Sequence, residues 1–76
     1  MKSVVLYSAV GCHLCEHARD VLDAEGVDYR EVDITGDLEL EATYREWLPV
    51  LEIDGERAFV YWIPAAALRR KLSAQT

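Results

Sequence analysis

The alternation of hydrophobic and polar positions along the chain predicts a series of short strands and helices. The continuous apolar run Val4–Tyr7 predicts a central strand that is buried on both faces. Apolar residues then recur at helical spacing, which predicts a first helix over Leu14–Ala24 with Gly26 at its C-terminal cap. The buried stripe of this helix is expected to comprise Leu14, Ala18, Val21 and Leu22.

The middle of the chain predicts a strand at the edge of the sheet, followed by a second helix. The segment Val27–Ile34 has strand-forming residues but is rich in charge, which suits an edge position. Asp37 is placed to cap a helix that begins at Leu38. This helix must end before Pro49, because the residue that precedes a proline is disfavoured in the helical conformation. Its buried stripe is expected to comprise Leu40, Tyr44 and Trp47.

The last third of the chain predicts a hairpin and a closing helix. Val50–Ile53 is a third strand, and the turn signal Asp54-Gly55 leads into a fourth strand over Glu56–Tyr61. In that strand, Ala58 and Val60 are expected on one face, and Arg57 and Phe59 on the other. Pro64 suits the first position of a final helix. The order β-α-β-α-β-β-α predicts an α/β fold with a mixed four-stranded sheet flanked by helices, in a single domain over residues 1–76.

The charge distribution argues against one class of partner. The formal net charge is −6, and all 14 acidic residues lie between Glu16 and Glu56. Phosphate contacts need a basic face, so nucleic-acid binding is not expected. The acid excess serves solubility or, alternatively, forms an acidic docking surface. No apolar run approaches the ~20 residues of a membrane helix, and the N-terminus lacks the features of a signal peptide. We therefore expect no membrane association and a cytoplasmic location.

The residues capable of chemistry crowd into one stretch, Val10–His17, with the sequence VGCHLCEH. This stretch holds both cysteines and both histidines of the chain. A disulfide between Cys12 and Cys15 would close a loop of only a few residues, so its contribution to stability is expected to be small. A redox couple, a metal site and two small core residues are the explanations that the residue types leave open.

The placement of the cysteines resembles the glutaredoxin-like family of the thioredoxin superfamily. The resemblance rests on a CxxC motif at the start of the first helix, after an opening strand and inside a βαβ unit. Leu48-Pro49-Val50-Leu51 and Ile53-Asp54-Gly55 are similar to the family segment with the cis-proline and the following hairpin. The chain is similar to the small bacterial glutaredoxin-like proteins that carry a CxxC motif. The resemblance implies a thioredoxin-like fold of the glutaredoxin type and a thiol–disulfide oxidoreductase that reduces protein or small-molecule disulfides.

The resemblance implies a role for each residue of the site. Cys12 lies at a helix N-terminus, where unpaired N–H groups stabilise a thiolate with a pKa below the ~8.5 of a free cysteine, and would attack the substrate disulfide. Cys15, one turn further along and more buried, would attack the mixed disulfide and release the product. His13, as an imidazolium, would favour the Cys12 thiolate. A cis Leu48–Pro49 bond would face the CxxC, and the backbone of Leu48 would pair with an extended substrate.

A non-catalytic binding module with the same fold is the alternative function. His13 and His17 share a helical face, and together with Cys12 and Cys15 they supply donor types that zinc accepts. A structural zinc site usually has four ligands, so the coordination shell of one chain would need a carboxylate such as Glu16, or water. His17 is otherwise expected to be an exposed surface residue. We therefore expect no bound metal, no bound cofactor and a monomer.

Departures from the glutaredoxin pattern concern glutathione. The CxxC motif encloses His13-Leu14, Ala9 stands where many glutaredoxins carry a lysine, and Tyr61-Trp62-Ile63-Pro64 replaces a Gly-Gly-Asp-like turn. These departures predict that glutathione is a poor reductant of this protein and that a thioredoxin-type donor reduces it. Arg19 and Arg45 are the side chains that could replace the missing contacts with glutathione.

Overall fold

Strands and helices alternate in the computed structural model, which describes residues 2–73. The strands are β1 (Val4–Ser8), β2 (Arg30–Asp33), β3 (Val50–Ile53) and β4 (Glu56–Val60). The helices are α1 (His13–Ala24), α2 (Leu38–Tyr44) and α3 (Ala65–Ser73), and α2 continues into a 3₁₀ turn over Arg45–Trp47. This succession confirms the predicted element order. Within the described residues, no helix has the length and apolar character needed to cross a membrane.

The strands form one mixed sheet in the order β2-β1-β3-β4. Strand β1 runs parallel to β2 and antiparallel to β3, and β3 and β4 form an antiparallel hairpin. Leu6 at the centre of β1 lies between Glu31 of β2 and Leu51 of β3. The second strand therefore lies at an edge of the sheet, as the charged sequence of that segment predicts.

Only one face of β1 is fully buried. Val4, Leu6 and Ser8 on that face are buried, whereas Val5 and Tyr7 on the opposite face are half-buried. The prediction of burial on both faces is therefore wrong. The reason is that α2, which packs against Tyr7, has only seven residues, none of them fully buried, and cannot cover the whole face.

Two hydrophobic clusters fill the interior. The principal core consists of Val4, Leu6, Ala18, Leu22, Leu51, Ile53, Ile63 and Leu68. A smaller group, which we call the site cluster, consists of Ala9, Cys15, Ile34 and Leu48. Ala9 follows β1, Ile34 follows β2 and Leu48 precedes β3, whereas Cys15 lies in α1. Three connections of the fold therefore meet at the buried cysteine.

The side of α1 that packs on the sheet differs from the predicted stripe by one position. The buried residues of the helix are Cys15, Ala18 and Leu22. Leu14, which the sequence places in the core, is exposed. Cys15 is held on the inner side by its packing in the site cluster. Since adjacent helical positions point about 100° apart, Leu14 then faces outward.

Gly26 ends α1 in the way the sequence predicts, and the same cap shortens the next strand. The Gly26 backbone has φ +68, and its N–H donates to the Asp23 carbonyl at 3.1 Å. The Val27 N–H donates to the Leu22 carbonyl at 3.0 Å, which completes a Schellman cap. Because Val27 belongs to this cap, β2 begins at Arg30 and not at Val27.

Helix α2 begins as predicted but does not bury its predicted stripe. The Asp37 Oδ1 atom accepts a hydrogen bond from the Leu40 N–H at 3.1 Å, which confirms the N-cap. Leu40 and Tyr44 are half-buried, whereas Trp47 is exposed. The 3₁₀ turn that follows α2 has three residues per turn, so it rotates Trp47 away from the line of the α-helical stripe.

The predicted hairpin turn is present between β3 and β4. Asp54 and Gly55 have φ angles of 53° and 83°, which are the positive values of a type I′ turn. The turn is tied to the start of the sheet, since the Ser3 N–H donates to Asp54 Oδ1 at 2.9 Å and the Asp54 N–H donates to the Ser3 carbonyl at 2.8 Å.

A bulge in β4 changes the predicted alternation of that strand. Leu51 pairs with Phe59, but Glu52 pairs with Arg57, so Ala58 is an extra residue in β4. Ala58 and Phe59 both pack against the principal core as a result. The expectation that these two neighbours point to opposite faces is therefore wrong.

Helix α3 closes the fold over the principal core. Pro64 directly precedes the helix, and its carbonyl accepts the Leu68 N–H at 2.9 Å. The Nζ of Lys2 donates to the carbonyls of Lys71 and Leu72 in the last turn. A cation at that end of a helix is favourable because of the unpaired carbonyls there.

We expect Gly26→Ala to lower the free energy of unfolding by about 1 kcal/mol, because an L side chain is strained in the left-handed conformation. An added Cβ would meet no atom within 4 Å, so the loss reports backbone strain alone. Gly26→Asn should lose less, since asparagine tolerates this conformation. Urea unfolding of the three proteins measures the difference, and an unchanged midpoint for Gly26→Ala would contradict the cap.

Candidate active site

The two cysteines form a disulfide at the N-terminus of α1. Cys12 is the N-cap of the helix, and its Cα lies 5.2 Å from that of Cys15. The Cys12 Sγ also accepts a hydrogen bond from the Cys15 N–H at 3.1 Å. Gly11, with φ +79, makes the turn that brings the chain from β1 into this cap. The cysteine at the cap thus takes the place that a serine or aspartate usually fills.

The two sulfur-bearing residues differ in accessibility. Cys15 is fully buried, with 0% of its surface exposed, and packs in the site cluster. Cys12 is half-buried and packs against the same cluster from outside. A reactant from solution can therefore approach Cys12 but not Cys15.

The predicted substrate-binding residues lie beside this pair. The Leu48–Pro49 peptide bond is cis, as the resemblance implies. Leu48 belongs to the site cluster together with Cys15, and Pro49 is buried. The Pro49 carbonyl accepts the Tyr61 N–H at 3.0 Å, which joins the segment before β3 to the residue after β4.

His13 projects into solvent at the first turn of α1. Its side chain is 95% exposed, and its Nδ1 lies 3.4 Å from Glu16 Oε2. Any influence of an imidazolium at this position on Cys12 would therefore act through water, where charge interactions are screened.

His17 is not the exposed surface residue that the sequence predicts. It is half-buried, and its ring stacks on Trp62 with centroids 3.8 Å apart and planes 14° apart. The segment after β4 packs against α1 and covers the histidine. Among residues 2–73, no three His, Cys, Asp or Glu side chains are arranged to hold one metal ion.

The sequence model of the family described as Glutaredoxin-like domain (DUF836) matches residues 3–73. The chain belongs to this family. The match covers nearly the whole chain.

Solved structures share the fold of this glutaredoxin-like domain. Protein XcR50 from X. campestris is 31% identical, with 97% of this chain and 100% of that chain covered and a TM-score of 0.85. Protein Ne2328 from Nitrosomonas europaea is 24% identical, with 95% and 92% covered and a TM-score of 0.72. Glutaredoxin 1 from Francisella tularensis, solved in complex with cacodylate, is 17% identical, with 97% and 95% covered and a TM-score of 0.65. No functionally curated protein matches the chain.

Arg19 and Arg45 of the glutaredoxin-like domain are held in ion pairs. The Arg19 Nε lies 2.8 Å from Glu31 Oε2, and the Arg45 Nη2 lies 2.8 Å from Glu41 Oε1. The hydrogen bond to Glu31 raises the pKa of the Arg19 guanidinium. Both cations therefore already have carboxylate partners within the domain.

A polar network that the sequence analysis missed joins β1, β2 and α1 near the cysteines. The Ser8 hydroxyl is buried and donates to Glu31 Oε2 at 2.6 Å, and the Arg19 Nε donates to the same oxygen. The sequence does show a polar residue, Ser8, at the end of an apolar strand. It does not show the partner of this serine, because Glu31 lies on another strand. The network ties the end of β1, where the chain turns towards Cys12, to its neighbours.

A second missed network lies on the opposite face of the sheet. Tyr44 stacks on Tyr7 with centroids 4.0 Å apart, and its hydroxyl donates to Glu52 Oε2 at 2.9 Å. The Arg57 guanidinium lies 5.9 Å from the centre of the Tyr44 ring and 5.9 Å from that of the Trp47 ring. Burial raises the pKa of Tyr44, and the neighbouring hydroxyl of Tyr7 and carboxylate of Glu52 raise it further.

The raised pKa of Tyr44 predicts a loss of stability at alkaline pH. Below the ~10 of a free tyrosine, both the folded and the unfolded chain hold this proton, and the contribution is fully present. Above it the unfolded chain loses the proton first, so the free energy of unfolding falls as pH rises. Urea unfolding should show a steeper alkaline decline for the wild-type protein than for Tyr44→Phe. Equal slopes for the two proteins would contradict this assignment.

Proposed function

We propose that this glutaredoxin-like domain is a dithiol thiol–disulfide oxidoreductase that reduces protein or small-molecule disulfides through Cys12 and Cys15. The observation that supports the proposal is the unequal burial of two cysteines that share one disulfide at a helix N-terminus. The half-buried Cys12 is suited to meet a substrate, and the fully buried Cys15 is suited to act within the protein.

The first step is the attack of the Cys12 thiolate on a substrate disulfide. In the reduced protein, the N–H groups at the start of α1, including that of Cys15, stabilise the negative charge on the Cys12 sulfur. The thiolate forms a bond to one substrate sulfur, and the other substrate sulfur leaves as a thiolate that takes up a proton from water. The product of this step is a mixed disulfide on Cys12.

The second step is intramolecular. The Cys15 sulfur, losing its proton as it attacks, forms a bond to the Cys12 Sγ and displaces the remaining substrate thiolate, which takes up a proton. The Cys12–Cys15 disulfide forms as the mixed disulfide breaks, so the substrate gains two electrons and two protons and the protein dithiol loses them. A second dithiol must return the two electrons before another turnover.

Leu48 and Pro49 are the proposed substrate-binding residues. Leu48 packs in the site cluster with Cys15, and the cis bond to Pro49 sets the direction of the backbone there. We propose that the backbone of Leu48 pairs with an extended substrate while Cys12 holds its sulfur. His13, exposed beside Cys12, contributes a screened electrostatic effect on the thiolate.

The proposed reductant is a thioredoxin-type dithiol donor in the cytoplasm, and no bound cofactor takes part. Glutathione carries two carboxylates, which need cationic partners. Ala9 offers none, and Arg19 and Arg45 already pair with Glu31 and Glu41. These contacts support the expectation that glutathione is a poor reductant.

In the reduced protein, iodoacetamide should modify Cys12 at least about tenfold faster than Cys15, because thiolate character and exposure both control the reaction. The rate should rise with pH through a Cys12 pKa that lies below that of a free cysteine. Cys12→Ser should abolish disulfide reduction. Cys15→Ser should leave the first attack intact and trap the mixed disulfide, which intact mass detects.

The alternative function, a metal-binding module, is tested in the same experiments. If the protein is an oxidoreductase, a chelator should leave its kinetics unchanged. Equal alkylation of the two cysteines, or a tightly bound stoichiometric metal in the purified protein, would reject the redox assignment and favour the module.

The two donors can be compared directly with the oxidised protein. A thioredoxin-type dithiol should reduce the Cys12–Cys15 disulfide at least about tenfold faster than an equal concentration of glutathione thiols, because it is not limited by missing carboxylate contacts. Quantification of free thiols over time measures both rates. Efficient reduction by glutathione would show that other residues bind its carboxylates.

A further inference from the structure

Exposed apolar and aromatic side chains lie on α1 and on the segments next to β3 and β4, and the proposed chemistry gives them no role. We call this group, together with the half-buried His17 that stacks on Trp62, the apolar rim, and it consists of Leu14, His17, Trp47, Tyr61 and Trp62. Trp62 alone leaves 53% of its surface in contact with solvent. Large apolar side chains clustered at a surface mark a site of interaction, and tryptophan and tyrosine are enriched in such sites.

One half of the apolar rim runs from Cys12 to the segment after β4. Leu14 and His17 lie in the first two turns of α1, the helix that Cys12 caps. The His17 ring stacks on Trp62 at a centroid distance of 3.8 Å. Trp62 is thereby fixed next to the helix that carries the cysteines.

The other half of the apolar rim connects that segment to the residue before Leu48. Tyr61 precedes Trp62, and its ring centre lies 6.1 Å from that of Trp47. Trp47 adjoins Leu48, a member of the site cluster, and Cys12 packs against this cluster. The rim therefore includes residues of the helix that Cys12 caps and a residue next to the site cluster in sequence.

The backbone at Tyr61 holds the two aromatic residues of this segment in place. Tyr61 has φ +66, a conformation that bulky residues rarely adopt. Its N–H donates to the Pro49 carbonyl and its hydroxyl to the Glu46 carbonyl, each at 3.0 Å. The Trp62 N–H donates to the Val60 carbonyl at 2.8 Å, which closes a γ-turn at Tyr61. A strained residue held by its surroundings in this way is typical of a functional site.

We propose that the apolar rim selects, as substrates, the disulfides of polypeptide segments in which an aliphatic or aromatic residue adjoins the cysteine. The inference rests on the proposed function and names the substrate class of the same site. While the substrate sulfur is bonded to Cys12, the neighbouring apolar side chain lies against Trp62 and Leu14. The rigid rim gains this contact without first having to become ordered.

The charges of the domain support a polypeptide over glutathione as the occupant. The occupant must supply a sulfur to Cys12, which restricts it to a disulfide or a thiol. The protein carries a formal charge of −6, which disfavours the approach of an anionic tripeptide. Arg57 lies over the rings of Tyr44 and Trp47, so the guanidinium already has aromatic partners beside the rim.

A single-turnover assay with the pre-reduced protein tests this selectivity. The substrates are short uncharged peptides whose cysteine is linked to 2-nitro-5-thiobenzoate and whose preceding residue is Phe, Leu or Ser. The mixed disulfide of glutathione with 2-nitro-5-thiobenzoate is the fourth substrate. The release of the coloured 2-nitro-5-thiobenzoate thiolate is followed. We expect the second-order rate constants of the Phe and Leu peptides to be about tenfold higher than that of the Ser peptide, which corresponds to about 1.4 kcal/mol. Equal rates for the peptides would overturn the inference.

Variants of the apolar rim locate the preference on the protein. Trp62→Ala and Leu14→Ala should each reduce the advantage of the Phe peptide several-fold, and Trp62→Phe should retain it. Leu38→Ala is the matched control, since Leu38 is also an exposed leucine in the first turn of a helix, namely α2. The control should keep the preference. A loss as large in Leu38→Ala as in Leu14→Ala would refute the role of the rim.

Two measurements separate failure of this inference from failure of the proposed function. Reduction of a small symmetrical disulfide tests the cysteine chemistry alone. If the protein reduces this disulfide but shows no preference among the peptides, the proposed function stands and the inference about the rim is wrong. Binding is measured with the Cys12→Ser/Cys15→Ser protein and a serine analogue of the Phe peptide. Both tryptophans of the chain lie in the rim, so their fluorescence should change on binding.

A concentration-dependent dimer that Trp62→Ala abolishes would instead assign the rim to a second copy of the chain.

Discussion

The packing of Cys15 against Ala9, Ile34 and Leu48 determines where the disulfide lies in the fold. These residues come from the connections after β1, after β2 and before β3, so the site cluster holds three parts of the chain at one end of the sheet. The buried cysteine then orients α1, and the helix N-terminus places Cys12 at the surface. A loss of packing at this point would move the Cys12 sulfur relative to the start of α1, where the Cys15 N–H donates to it.

The surroundings of Cys12 combine a rigid polar frame with an apolar surface. On one side, Ser8, Arg19 and Glu31 connect β1, α1 and β2 through hydrogen bonds and an ion pair. On the other side, Tyr61 and Trp62 are fixed by backbone hydrogen bonds, one to Pro49 beside β3 and one that closes a γ-turn. The hydrogen bonds on both sides limit the movement of the chain around the disulfide.

Sequence patterns predicted the features that depend on neighbouring residues and missed those that depend on distant ones. The turn at Asp54-Gly55 and the N-terminal position of Cys12 are set by local backbone preferences, which the sequence displays directly. The exposure of Leu14 follows from which side of α1 the disulfide cysteine occupies, and helical spacing alone does not decide this. His17 and Trp62 are far apart in sequence, and only the folded chain brings them together in a stack. The position of Trp62 also depends on the positive φ of Tyr61, which residue propensities do not suggest.

Both outer strands of the sheet carry charged side chains along their unpaired backbone. Strand β2 presents Arg30, Glu31 and Asp33, and β4 presents Glu56 and Arg57 beside the bulge. An edge strand offers free N–H and C=O groups to any other extended chain, and charge and bulges oppose such pairing. The edges of this sheet are thus protected by charge and by the bulge, so that contact with a partly unfolded chain does not lead to growth of a shared sheet.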